Sequence, residues 1–242
     1  MPRTDTIAVI DFETTGMGPA QGARATEIAA VLVRDGQIVD RFQSLMKTDA
    51  WIPPFIEQLT GISNAMMQSG PPAEEVMREL DSFTRGIPMV AHNASFDRGF
   101  WLAERARAGL EPDPAHEFAC TVLLSRRLYP EAPSHKLSAL GEWCGLKRDG
   151  QAHRAMSDAD VTAQLLIRLQ RDITERFAQH MGPVAADHAL LHELQKANKA
   201  HLEKCVAQHM VKRQARLALE PATDPIPFPN HSCLDAEPKT VL

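Results

Sequence analysis

Long apolar runs, clustered cysteines, an excess of positive charge and abundant aromatic rings are all missing from this sequence of 242 residues. Each absence removes a class of function. No stretch approaches the roughly 20 apolar residues that cross a bilayer, and the opening "MPRTDTIAVID" reaches an acidic residue too early for a secretory signal. A cytoplasmic location with no membrane partner is expected. Cys120, Cys144, Cys205 and Cys233 stand far apart with no C-x-x-C pair, which excludes a zinc site or a disulfide framework and leaves reduced thiols. Lys and Arg number 26 against 31 Asp and Glu, a net charge of -5, so a broad basic surface gripping phosphates is excluded. Nucleic acid itself is not, because carboxylates that hold cations add to the same negative count. One Tyr and three Trp are too few for an extended base-stacking platform. What remains, at 44% hydrophobic residues, is enough apolar matter for a real core.

The order of elements is legible from periodicity and turn residues. Thr6 to Phe12 read as a first strand, and "EIAAVLVRDGQIVDRFQSLM" as two more, split by Asp35-Gly36, a tight-hairpin signature. Pro53 and Pro54 introduce a short helix, and Pro72 opens another that runs to about Phe83. "IPMVAHN" reads as a short buried strand that pairs in parallel with the first after a helical crossover. Further helices are expected from Phe96 to about Ala108, from Thr121 to Leu128, over "HKLSALGEWC" with Ser134 as its cap, and from about Ser157 to Phe177, with a short strand at Glu117 to Cys120. This gives an α/β fold with a five-stranded mixed sheet, three antiparallel strands followed by parallel ones, and helices on both faces. The order is that of a ribonuclease H-like arrangement. Three segments are expected: a domain over 1–178, a helical extension over 179–220 and a flexible proline-containing tail over 221–242.

Chemistry concentrates in acidic residues. In "VIDFETTG", Asp11 and Glu13 are two apart on a strand, so both project from one face and repel each other. "VAHNASFD" places Asp97 in the first turn of a helix at the sheet's carboxyl edge, and "HRAMSDA" places Asp158 at the start of the last helix of that domain, in phase with its buried stripe. His153 lies in the loop just before, within reach of the same cleft. Four converging carboxylates call for cations, and an all-oxygen ligand set suits Mg²⁺ or Mn²⁺ better than zinc. Two such ions are a known arrangement for displacement at phosphorus.

These three strings, in this order and each on its expected element, resemble the motifs of the DEDDh 3′-5′ exonucleases, the family that includes the proofreading epsilon subunit of bacterial DNA polymerase III. "LTGIS", Leu59 to Ser63, is similar to a further element between the first two motifs. The resemblance runs from about residue 5 to 177. It implies a metal-dependent 3′-5′ exonuclease that releases nucleoside 5′-monophosphates from a single-stranded or frayed nucleic acid 3′ end. Asp11, Glu13, Asp97 and Asp158 would ligate two divalent cations, and His153 would act as general base, an imidazole being suited to proton transfer near neutral pH. Thr14, Thr15 and Gly16 would face the terminal 3′-hydroxyl, Leu59 would wedge against the terminal base, and Phe96 would pack on the sugar. Asn93 would either touch substrate or stabilise its turn, and Phe96, in the first turn of an amphipathic helix, also reads strongly as core. DNA is placed ahead of RNA as substrate, with an RNA 3′-end trimming enzyme as the alternative. A second alternative is an interaction subunit that docks on a polymerase through residues 179–242.

Other polar residues have blander readings. His92 is expected to be a hydrogen-bonded structural histidine, and His116 and His135 carry no spacing signal. The histidines from His180 to His209, and Lys196, Lys199, Lys204, Lys212, Arg213 and Arg216, read as a solvated helix surface. Cys120 stands where many relatives of the family carry Asp, which predicts a packing difference and no lost ligand.

Overall fold

The structure, a computed structural model, describes residues 6–219. The segment expected as a tail, 221–242, lies outside the described residues. Five strands, β1 (Ile7–Thr14), β2 (Ala25–Arg34), β3 (Gln37–Leu45), β4 (Met89–Ala91) and β5 (Phe118–Cys120), form one sheet in the order β3-β2-β1-β4-β5. β1 to β3 are antiparallel, and β4 and β5 add in parallel. This is the mixed α/β, ribonuclease H-like sheet expected from the sequence. Asp35 and Gly36 turn the β2–β3 hairpin with φ of 54° and 70°, the left-handed pair that matches the twist of the flanking strands. β1 continues two residues beyond the predicted end at Phe12, because Glu13 and Thr14 still find partners in Glu27 and Ala25 across a register irregularity.

Helices cover both faces. α3 (Ala73–Thr84) and α4 (Ala94–Arg107) pack on the side of Ala8, Ile10 and Phe12, while α5 (Thr121–Leu128), α6 (Leu137–Cys144) and α7 (Ala155–Arg176) pack on the side of Ile7 and Val9. Two short helices, α1 (Pro54–Thr60) and α2 (Asn64–Ser69), sit on a small separate cluster of Ile52, Ile62 and Met67. The predicted cap of α6 needs correcting. Lys136 occupies that position, and the Ser134 hydroxyl instead accepts from the Lys136 N–H at 3.3 Å.

Residues from 178 onward form α8 (Ala178–Met181), α9 (His188–Leu194) and α10 (Leu202–Leu219). The extension is not a solvated appendage: Leu190, Leu191, Leu194, Leu202, Val206 and Met210 join the core shared with α7. Two expectations of a solvated surface are thereby overturned. His188 is buried and its Nε2 donates to the Met89 carbonyl at 2.9 Å; His209 is buried beside Asp187, which also pairs with Arg213 at 2.9 Å. Their ring nitrogens face inward because the segment folds back on the sheet.

Gln195 shows how closely it does so. Its side-chain oxygen accepts from the Cys120 N–H at 2.8 Å and its nitrogen donates to the Phe118 carbonyl at 3.0 Å. One amide thus satisfies the open edge of β5 as a neighbouring strand would. Gln195→Leu leaves both buried groups without a partner. A loss of about 2 kcal/mol, read as a melting temperature about 4–8 °C lower, is the expected calorimetric result.

Candidate active site

β1 delivers Asp11 and Glu13 on the face that packs against α7, continuing the row of Ile7 and Val9. At the end of β4 the chain turns through Asn93, whose φ of 69° is left-handed, and starts α4 at once. That turn puts Asp97 in the first helical turn, 2% exposed, where its Oδ1 accepts the Phe12 N–H at 3.2 Å. Asp158 occupies the first turn of α7. Its Oδ2 accepts the His153 N–H at 3.1 Å, and its Oδ1 pairs with the Arg148 guanidinium. Donor atoms of Glu13, His153 and Asp158 all lie within 4.8 Å of one another.

The electrostatics show a cluster short of positive charge. Burial first, then Asp97, Glu13, Asp158 and Glu27 together, push the Asp11 carboxyl well above the ordinary carboxylate range. Glu13 is raised to about 8 by burial and by the carboxylates of Asp158, Glu27 and Asp97, against a smaller opposing effect of Arg154. Asp97 is raised to about 7, chiefly by burial. Acids so perturbed hold protons that a hard divalent cation would replace.

The residues expected around the substrate are less uniform. Thr15 donates its N–H to the Arg24 carbonyl at 2.9 Å, its hydroxyl accepts the Arg24 N–H at 3.0 Å, and the Thr14 hydroxyl donates to the Gly16 carbonyl at 2.8 Å. The turn is therefore braced from inside, with Gly16 nearer the surface than either threonine. Leu59 stands 47% exposed on α1. A Cβ added to Gly61, at the end of that helix, would lie 3.8 Å from Gln151 Oε1, so α1 meets the loop that carries His153. Phe96 is half-buried, its ring centroid 5.0 Å from that of Phe100. Asn93 is exposed and forms no side-chain cap. His92 is the structural histidine expected: its Nδ1 pairs with Thr121 Oγ1 at 2.8 Å, and burial lowers its pKa to about 4.

The family model described as Exonuclease, of the RNase T type, matches residues 8–166. The chain belongs to the RNase T/DEDDh family of 3′-5′ exonucleases. It is 44% identical over 161 residues to the 3′-5′ exonuclease DinG of Bacillus subtilis (strain 168), covering 66% of this chain and 17% of that one. It is 34% identical over 174 residues to the PolC-type DNA polymerase III of Bacillus cereus, covering 71% of this chain and 12% of that polymerase. The chain thus spans under a fifth of the length of these relatives. Among solved structures, Exonuclease X in complex with 5′ overhanging duplex DNA matches at 33% identity with a TM-score of 0.55, over 68% of this chain and 91% of that one.

Within this exonuclease fold, sequence reasoning missed a fifth acid. Glu27 stands directly across from Glu13 in the β1–β2 ladder and is 1% exposed. A lone charge in the apolar run "ATEIAAVLV" was the available signal. It also missed Arg24, which grips the buried Glu104 of α4 through Nε at 2.9 Å and Nη2 at 3.0 Å, tying the helix that carries Asp97 to the start of β2.

The raised acids carry a sign for stability. A carboxyl whose folded pKa lies above its unfolded one binds more protons when folded, so its contribution to stability falls as pH rises between the two values. For Glu13 that window runs from the ordinary 4.5 to about 8, and for Asp97 from 3.8 to about 7. Metal-free protein should therefore lose stability relative to Mg²⁺-loaded protein as pH rises from 5 to 8. Paired thermal melts should show the gap in melting temperature widening by about 5 °C or more; a constant gap would contradict it.

Proposed function

We propose that the chain hydrolyses the terminal phosphodiester at the 3′ end of DNA and releases nucleoside 5′-monophosphates. The observation that carries this is the gathering of Glu13, His153 and Asp158 donor atoms within 4.8 Å, next to Asp11 and Asp97, whose carboxyls are both raised. The donor set fits hard divalent ions: oxygens dominate it, and the raised carboxyls of Asp11, Glu13 and Asp97 favour positive charge there. Asp11, Glu13, Asp97 and Asp158 would hold two ions, Mg²⁺ or Mn²⁺. When bound, such ions supply an acidified water and neutralise charge on the departing oxygen.

The chain's own residues do the rest. The imidazole nitrogen of His153 that stands beside the Glu13 and Asp158 oxygens accepts the proton of the attacking water. Asp158 orients that histidine by accepting its backbone N–H. Gly16 brings backbone close to the terminal 3′-hydroxyl while Thr14 and Thr15 hold the turn. Leu59 presses on the terminal base, the exposed edge of Phe96 packs on its sugar, and Asn93 lies at the rim. A wedge on the terminal base favours an unpaired or frayed end.

Hydrolysis of 3′-labelled single-stranded DNA, duplex DNA with a mismatched end, and RNA, each with Mg²⁺ and with EDTA, tests this. Mononucleotide release from DNA in Mg²⁺ alone is expected. A strong preference for RNA would move the substrate to RNA 3′ ends, and inactivity on every end with Mg²⁺ and Mn²⁺ would leave an interaction subunit. Docking on a polymerase through 179–242 also belongs to this proposal. Removing 179–219 would strip the core of Leu190, Leu194 and Val206, so deletion of 221–242 is the cleaner co-purification test for the tail's part.

A further inference from the structure

We propose that Glu27 and Arg154 form a positioning pair that fixes His153 as general base, an inference that rests on the role given to His153 above. Glu27 lies among the acids of the site and yet has no free capacity for a cation. Its Oε1 accepts Gln43 Nε2 at 3.0 Å and Arg154 Nη2 at 2.7 Å, and its Oε2 accepts Arg154 Nε at 3.1 Å and the Ala155 N–H at 3.0 Å. Four donors fill the four lone-pair positions of a carboxylate. The bond to Ala155 also satisfies a free N–H at the start of α7, and the forked contact from Arg154 has the rigid bidentate geometry of the strongest ion pairs.

His153 is what this grip holds. Its φ of 62° is left-handed, a conformation that a histidine adopts at a cost and keeps only when its surroundings enforce it. Two anchors flank it. One is Asp158, which accepts the His153 N–H but also belongs to the metal-binding set. The other is the Glu27 clamp on the very next residue, which shares no atom with that set. It therefore holds the histidine's backbone identically whether or not ions are bound, leaving the imidazole aimed at the water.

The test is a double-mutant cycle. Glu27→Gln keeps the shape but turns one acceptor into a donor facing the Arg154 and Ala155 N–H groups. In the otherwise native chain it should lower kcat by about 10- to 100-fold, with KM for a single-stranded oligonucleotide within twofold. In a His153→Ala background it should lower turnover no further, because the group it positions is gone. Arg154→Lys, which keeps the charge and loses the fork, should repeat the pattern and stands in if Glu27→Gln does not fold. Equal losses in both backgrounds, or a loss carried by KM rather than kcat, would make the pair merely structural and overturn the proposal. Full turnover by His153→Ala alone would instead remove the base itself, and the clamp's role with it.

Discussion

Asp11→Ala is expected to abolish hydrolysis and, in metal-free buffer at pH 8, to raise the melting temperature rather than lower it. The carboxyl at position 11 lies among Asp97, Glu13, Asp158 and Glu27, all of which push it toward its protonated form on top of its burial. Its deletion removes a repulsive centre from the middle of the cluster. Nothing in the described structure ties Asp11 by a side-chain hydrogen bond to a donor that would miss it. The same change should erase most of the stabilisation that Mg²⁺ gives, since a ligand that binds only the folded state stabilises it more the tighter it binds. Thermal melts of both proteins with EDTA and with Mg²⁺ read all of this at once. A metal-free variant melting several degrees below the parent would show that the acid is structural.

His153→Ala should cost roughly 10² to 10⁴ in turnover, the range for a lost general base, while Mn²⁺ binding persists. Among the described residues the His153 side chain makes no hydrogen bond, and it is exposed; its stabilising contact is the backbone N–H on Asp158, which alanine retains. The variant should therefore fold normally and fail in chemistry alone. His153→Gly adds a control: glycine relieves the left-handed strain at φ 62°, so it should melt no lower than the alanine variant and be equally slow. Near-native turnover in either would assign water activation to another group.

How much of this was legible depended on whether the signal was local. The β2–β3 hairpin could be read from Asp35-Gly36 because that turn dictates its own backbone. Asp11 and Glu13 could be placed on one face because a strand alternates strictly, and Asp97 and Asp158 in first helical turns because strand end and helix start were both marked. The partners of Glu27 were not legible: Arg154 is 127 residues away in sequence, and only the folded sheet brings them together. The burial of α9 and α10 was hidden for a related reason. Their apolar stripe is modest, and polar groups such as Gln195 and His188 bury themselves by bonding backbone of β5 and β4, an outcome that composition reads as exposure. Ser134 is not the cap because its hydroxyl accepts the N–H of Lys136, the residue that itself holds the cap position before Leu137.

Diffraction at the manganese absorption edge, from a crystal soaked in Mn²⁺, measures most directly whether these acids exist to hold ions. Anomalous peaks in contact with Asp11, Glu13, Asp97 and Asp158, with the His153 ring beside them, are the expected result. A fully soaked crystal with no anomalous density among those four side chains, or with manganese bound only elsewhere on the surface, would contradict it.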